Sequence, residues 1–102
     1  YTIVIGVTGL SEINPSVLNL GQNYPNPAMN KTRIDFYAPA SGDYQFTLFN
    51  LIGKEIQSQQ LNVRKGVNTI ELNVKDLPPG VYMYSLSGNN STLTRRLIVQ
   101  QK

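Results

Sequence analysis

The sequence predicts an all-β protein, a seven-stranded antiparallel β-sandwich with Greek-key connections. Three observations carry that reading. Apolar and polar residues alternate from residue 31 to the end of the chain. Strings rich in Gly, Pro, Asn and Ser break the alternation at short intervals, and no stretch has a helical period. The 102 residues fit one small domain, and seven short strands in that length need two packed sheets.

The elements follow in order. Thr32, Ile34 and Phe36 alternate with Arg33, Asp35 and Tyr37, the pattern of a half-buried strand. Ala38-Pro39-Ala40-Ser41-Gly42 ends it, because Pro cannot donate to a ladder and Gly suits a turn. Tyr44, Phe46 and Leu48 mark the next strand. Asn50-Leu51-Ile52-Gly53 has Asn first and Gly fourth, which predicts a type I hairpin turn. The strand after it, Lys54 to Leu61, has few large apolar residues and reads as an edge. Val63-Arg64-Lys65-Gly66 turns the chain, and Asn68, Ile70, Leu72 and Val74 then share one face. Lys75 to Gly80 is a stiff connection, and Val81 to Leu86, the most apolar run, is expected at the centre of a sheet. Ser87 to Ser91 is a tight turn before the last strand, Thr92 to Gln100. There Arg95 shares the parity of Leu93, Leu97 and Val99, which calls for a bulge or for an edge where its stem can snorkel. With a further strand around Leu18-Asn19-Leu20-Gly21, the count reaches seven, as in immunoglobulin-like (Ig-like) sandwiches. Tyr1 to Val7 reads as the tail of a preceding domain (1–8) or, alternatively, as a strand that pairs with the sandwich; a linker (9–19) containing Asn14-Pro15 and the sandwich (20–102) follow.

Composition narrows the chemistry. The chain has no His and no Cys, so imidazole bases, thiolate nucleophiles, disulfides and thiolate zinc sites are ruled out. Its six carboxylates are dispersed, which leaves no calcium loop of the D-x-D kind. No catalytic residue, metal ligand or cofactor is expected. The net charge of +3 comes from bases spread along the chain, not from the dense stripe of a nucleic-acid domain. No apolar run is long enough to span a bilayer, so stable membrane insertion is not expected. Tyr1 to Thr8 lacks the basic start and cleavage pattern of a signal peptide. A monomer is expected.

Two local strings stand out. Leu77-Pro78-Pro79-Gly80-Val81-Tyr82 has the form of a tyrosine corner, with Tyr82 bonding back to the turn and Pro79 and Gly80 setting the approach. Leu20 to Pro27 carries Pro25-Asn26-Pro27, a stiff lead-in to the sandwich. Singly these say little about function. In order, they are the Pro25-Asn26-Pro27 lead-in, the Asn50-x-x-Gly53 turn followed by Lys54-Glu55-Ile56, the Leu77-x-Pro79-Gly80-x-Tyr82 corner and a closing Thr94-Arg95-Arg96-Leu97-Ile98-Val99. That combination resembles the type A family of C-terminal sorting domains of the type IX (Por) secretion system, over about Leu20 to Lys102. Ala28-Met29-Asn30 departs from the family, where many members carry an aromatic or a second Asn-Pro pair.

The resemblance implies a transport address at the end of a larger exported cargo. It implies passage through the periplasm, recognition by the type IX translocon and by outer-membrane shuttle and sortase proteins, and removal by a cell-surface sortase in or near the linker. The cargo would end at the cell surface or be secreted. Recognition is expected at the last strand, through Thr94, Arg95, Arg96, Leu97, Ile98, Val99 and Lys102, by strand addition and attraction to an acidic partner. The alternative is a fibronectin-type or carbohydrate-binding sandwich, with surface Tyr rings stacking on sugars.

Overall fold

A computed structural model describes residues 16–100 of the chain. Among them are seven strands and no helix. They are β1 (Asn19–Leu20), β2 (Lys31–Ala38), β3 (Gly42–Asn50), β4 (Glu55–Val63), β5 (Gly66–Asn73), β6 (Gly80–Gly88) and β7 (Ser91–Val99). One antiparallel sheet has the order β1-β2-β5 and the other β4-β3-β6-β7. The chain changes sheet between β2 and β3, between β4 and β5, and between β5 and β6, which gives the Greek-key connectivity. Leu18 is already part of the core, so the sandwich starts inside the segment expected as linker. The expected tail and most of that linker lie outside the described residues, as does Lys102.

Alternation explains the core. Ile34 and Phe36 from one sheet meet Tyr44, Phe46, Leu48, Tyr84 and Leu86 from the other, all buried. The Phe46 and Tyr84 rings pack at 5.9 Å between centroids, and Phe36 and Tyr44 at 6.4 Å. Each such side chain contributes about 1.5–3 kcal/mol by leaving water.

The turns hold as their residue types predict. Asn50 accepts the Ile52 and Lys54 amides on its Oδ1, at 3.1 and 2.9 Å, and Gly53 donates to the Asn50 carbonyl at 3.0 Å. Asn89 and Asn90 both have positive φ, 51° and 63°, the type I′ geometry that joins β6 to β7. The Tyr82 hydroxyl donates to the Pro78 carbonyl at 2.6 Å, closing the expected corner. A second corner was not anticipated: the Tyr44 hydroxyl donates to the Ala40 carbonyl at 2.9 Å. Both Tyr residues follow a Gly by two positions where the chain changes sheet, and Gly42 and Gly80 share a φ near +150° that side chains avoid.

Two ambiguities resolve. The β6–β7 register runs without a shift from Gly80↔Val99 to Gly88↔Ser91, so Arg95 owes its inward parity to an edge strand and not to a bulge. β4 is an edge, as expected, but both of its faces are exposed from Glu55 to Gln60. The reason is an overhang. β1 lies against β7, so the three-stranded sheet falls short of β4 on the other side.

Candidate recognition surface

The lead-in runs alongside the last strand and is fastened to it. Gly21 donates to the Asp35 carbonyl and Tyr24 pairs with Arg33, which holds the segment on β2. Beyond Tyr24 the chain passes through two cis peptide bonds, Tyr24–Pro25 and Asn26–Pro27, and reaches β7. There Asn26 accepts the Ile98 amide on Oδ1 at 3.1 Å, and Ala28 donates to the Ile98 carbonyl at 2.8 Å. Gln100 donates in turn to the Ala28 carbonyl, completing a parallel bridge between Ala28 and Val99. Upstream, Gln22 Nε2 donates to the Arg96 carbonyl at 2.7 Å and Arg95 Nε to the Leu20 carbonyl at 2.6 Å.

A buried polar cluster anchors this segment from beneath. Tyr84 reaches across from β6, donates to the Gly21 carbonyl at 2.8 Å and accepts the Asn23 amide at 3.0 Å. The Asn23 side chain donates to Thr32 Oγ1 and to the Pro25 carbonyl, and Thr32 donates to that same carbonyl. Buried polar groups left unpaired are costly, so this cluster is structural necessity for a lead-in that carries few ladder bonds of its own. Burial pushes the Tyr84 phenol up to about 12, although the Asn23 amide and the Arg95 charge pull the other way.

On the outer face of the three-stranded sheet, Tyr24 lies over the Arg33 guanidinium and donates to Asp35 Oδ2 at 3.0 Å. Thr69 donates to Asp35 Oδ1 at 2.7 Å. Asp35, expected to face solvent, is thereby covered. Burial raises the Tyr24 pKa, and the Asp35 carboxylate raises it further.

The residues singled out in the last strand divide into three groups. Leu97 and Val99 are core. Arg95 is half-buried and committed to the Leu20 carbonyl. Thr94, Arg96 and Ile98 project outward, and no hydrogen bond among the described residues holds the Arg96 guanidinium. The strand edge is likewise divided. Both backbone groups of Ile98 and the carbonyl of Arg96 point away from β6 and are taken by the lead-in. By the two-residue period, Thr92 and Thr94 point the same way, and the lead-in does not reach them. The free terminal edge expected from sequence is therefore limited to the first half of β7. Sequence reasoning missed Gln22, Asn23 and Tyr84 as the fasteners of this surface.

Fold and contacts define a small two-sheet module whose lead-in and last strand form one continuous surface. The chain belongs to the family described as secretion system C-terminal sorting domain, whose family model matches residues 22–100. The domain is a C-terminal sorting signal for type IX secretion, and the protein that carries it is a secreted or cell-surface cargo. No curated protein matches the chain.

Proposed function

We propose that the domain, a type A member of its family, is the address read by the outer-membrane shuttle and translocon. In this reading it performs no catalysis and binds no cofactor. It carries its cargo from the periplasm to the cell surface, where a sortase cuts in or near residues 9–19. The supporting observation is that the lead-in is bonded to the last strand at Leu20, Gln22, Asn26 and Ala28. A partner docking on β7 therefore meets both segments at once, with Arg96, Thr94 and Ile98 as the projecting contacts.

Fusing residues 9–102 to a passive reporter, in a host with the secretion system, tests export. Deleting Leu97 to Lys102 is expected to abolish it. Arg96→Ala separates recognition from folding, because its side chain is exposed and no hydrogen bond among the described residues holds its guanidinium. The variant is expected to melt like the parent and to export less. Export at the parental level would remove Arg96 from recognition. Arg95→Ala is expected to weaken the fold as well, since it frees the Leu20 carbonyl.

A further inference from the structure

We propose that the β4 border is a strand-addition site for an extended segment of another protein. That segment would be apolar at the positions facing inward and acidic at its amino end. The inference does not rest on the reading of the last strand, and either can fail alone.

The backbone supplies the first argument. The Asn50 amide donates toward β4, to the Lys54 carbonyl, so the even-numbered residues of β3 bond to β4. Their partners Gln57, Gln59 and Leu61 are thus occupied, and Ser58, Gln60 and Asn62 turn their N–H and C=O groups outward. Edge strands are commonly guarded by Lys, Pro, shortness or bulges along the strand. β4 has nine residues, no Pro and no Lys, and its one irregularity sits at its start, opposite Leu48 and Phe49. From Ile56 to Val63 it carries no charge.

The cleft beneath gives the second argument and describes the occupant. Because the four-stranded sheet overhangs, a cleft of about 240 Å³ opens between β4 and β5. Phe36, Leu61, Val63 and Ile70 form its apolar part, while Gln59, Asn62, Asn68, Thr69 and Glu71 make up a polar rim. A strand added to β4 would point alternate side chains over this cleft, where apolar groups of valine size meet Phe36, Leu61 and Ile70 inside the polar rim. The third argument is charge. Arg64 and Lys65 follow β4 directly and are exposed, and an antiparallel newcomer would bring its amino end to them.

The test uses the whole 102-residue chain, isotopically labelled. The probe is a peptide of about eight residues, two glutamates followed by alternating valine and threonine. Amide shift changes and slowed hydrogen exchange are expected at Ser58, Gln60 and Asn62. Gln60→Pro, which deletes one outward N–H, is expected to weaken binding about 10-fold. Gln59→Lys keeps every backbone group and sets a charge at the cleft; it too is expected to weaken binding, and it decides the matter if the proline variant does not fold. A probe with two lysines in place of the glutamates should bind less tightly. The proposal is overturned if the glutamate probe does not bind or perturbs Thr92 and Thr94 instead. It is overturned also if β4 pairs with a second copy of the chain, seen as concentration-dependent shifts without peptide, or if both probes bind alike.

Discussion

At the β7 border of the four-stranded sheet, the lead-in takes up both backbone groups of Ile98 and the carbonyl of Arg96. At the β4 border, Ser58, Gln60 and Asn62 turn outward, with no strand beside them among the described residues. The two strands have equal length, nine residues each, so length does not explain the difference. Side-chain content does. β7 carries Leu97, Ile98 and Val99 in a row, a run that would invite non-specific pairing if left bare, and irregular chain covers it. β4 carries Gln57, Ser58, Gln59 and Gln60, which hydrate well and need no cover. An edge can thus be guarded by a segment without strand structure, provided that the segment is itself anchored. Here the anchor is Tyr84.

Core truncation separates the two borders most sharply. Leu97→Ala is expected to cost about 2–5 kcal/mol in urea denaturation, because Leu97 is fully buried. Gln57→Ala, also on an inward position but exposed, should stay within about 0.5 kcal/mol. Comparable losses would mean that β4 is covered after all.

Next in size is Tyr84→Phe, expected to cost about 2 kcal/mol because it strands the Gly21 carbonyl and the Asn23 amide without a partner. It should also speed hydrogen exchange at the Ile98 amide and leave the Ser58 amide unchanged. The phenol adds a pH signature. Its ordinary value is 10.0, and burial lifts it to about 12 in the folded chain. Above pH 10 the unfolded state ionises first, so stability should fall between pH 10 and about 12. Tyr84→Phe should lose its part of that fall.

The two corners give a matched pair, since Tyr44 sits beside β4 and Tyr82 beside β7. Tyr44→Phe and Tyr82→Phe are each expected to lower stability by about 1–2 kcal/mol, read from denaturation midpoints at constant slope. An unchanged midpoint for either would show that its hydroxyl bond adds nothing there. Smallest is Asn26→Ala. It removes one exposed acceptor from Ile98, so below about 1 kcal/mol is expected, with faster exchange at that amide as the readout.

Local chemistry made most of the fold legible. The strands after residue 31 announced themselves by alternation, the Asn50-to-Gly53 turn by its end residues, and the Tyr82 corner by its proline and glycine. The Tyr44 corner was equally local, since Gly42-Asp43-Tyr44 repeats the spacing of Gly80-Val81-Tyr82, but Ala40-Ser41 lacks the prolines that draw the eye. The candidate recognition surface was legible in part. Its strand could be read, but its lining joins Asn23 to Tyr84 across 61 positions and Leu20 to Arg95 across 75. No periodicity links residues so far apart. Asp35 misled for a related reason. Alternation places it outward correctly, but Tyr24 and Thr69, from other parts of the chain, close over it.

The direction in which the lead-in runs has a mechanical consequence. From Leu20 beside Arg95 to Ala28 beside Val99, it travels parallel to β7. Tension applied between the two ends of the described chain, residues 16 and 100, therefore pulls these neighbouring segments in opposite directions along their common axis. That is loading in shear: the bonds at Leu20, Gln22, Asn26 and Ala28 share the force instead of parting one after another as a zip does. A cargo that drags on one end while a partner grips the other would load these bonds together, along with the β2 and β6 ladders that hold the two segments.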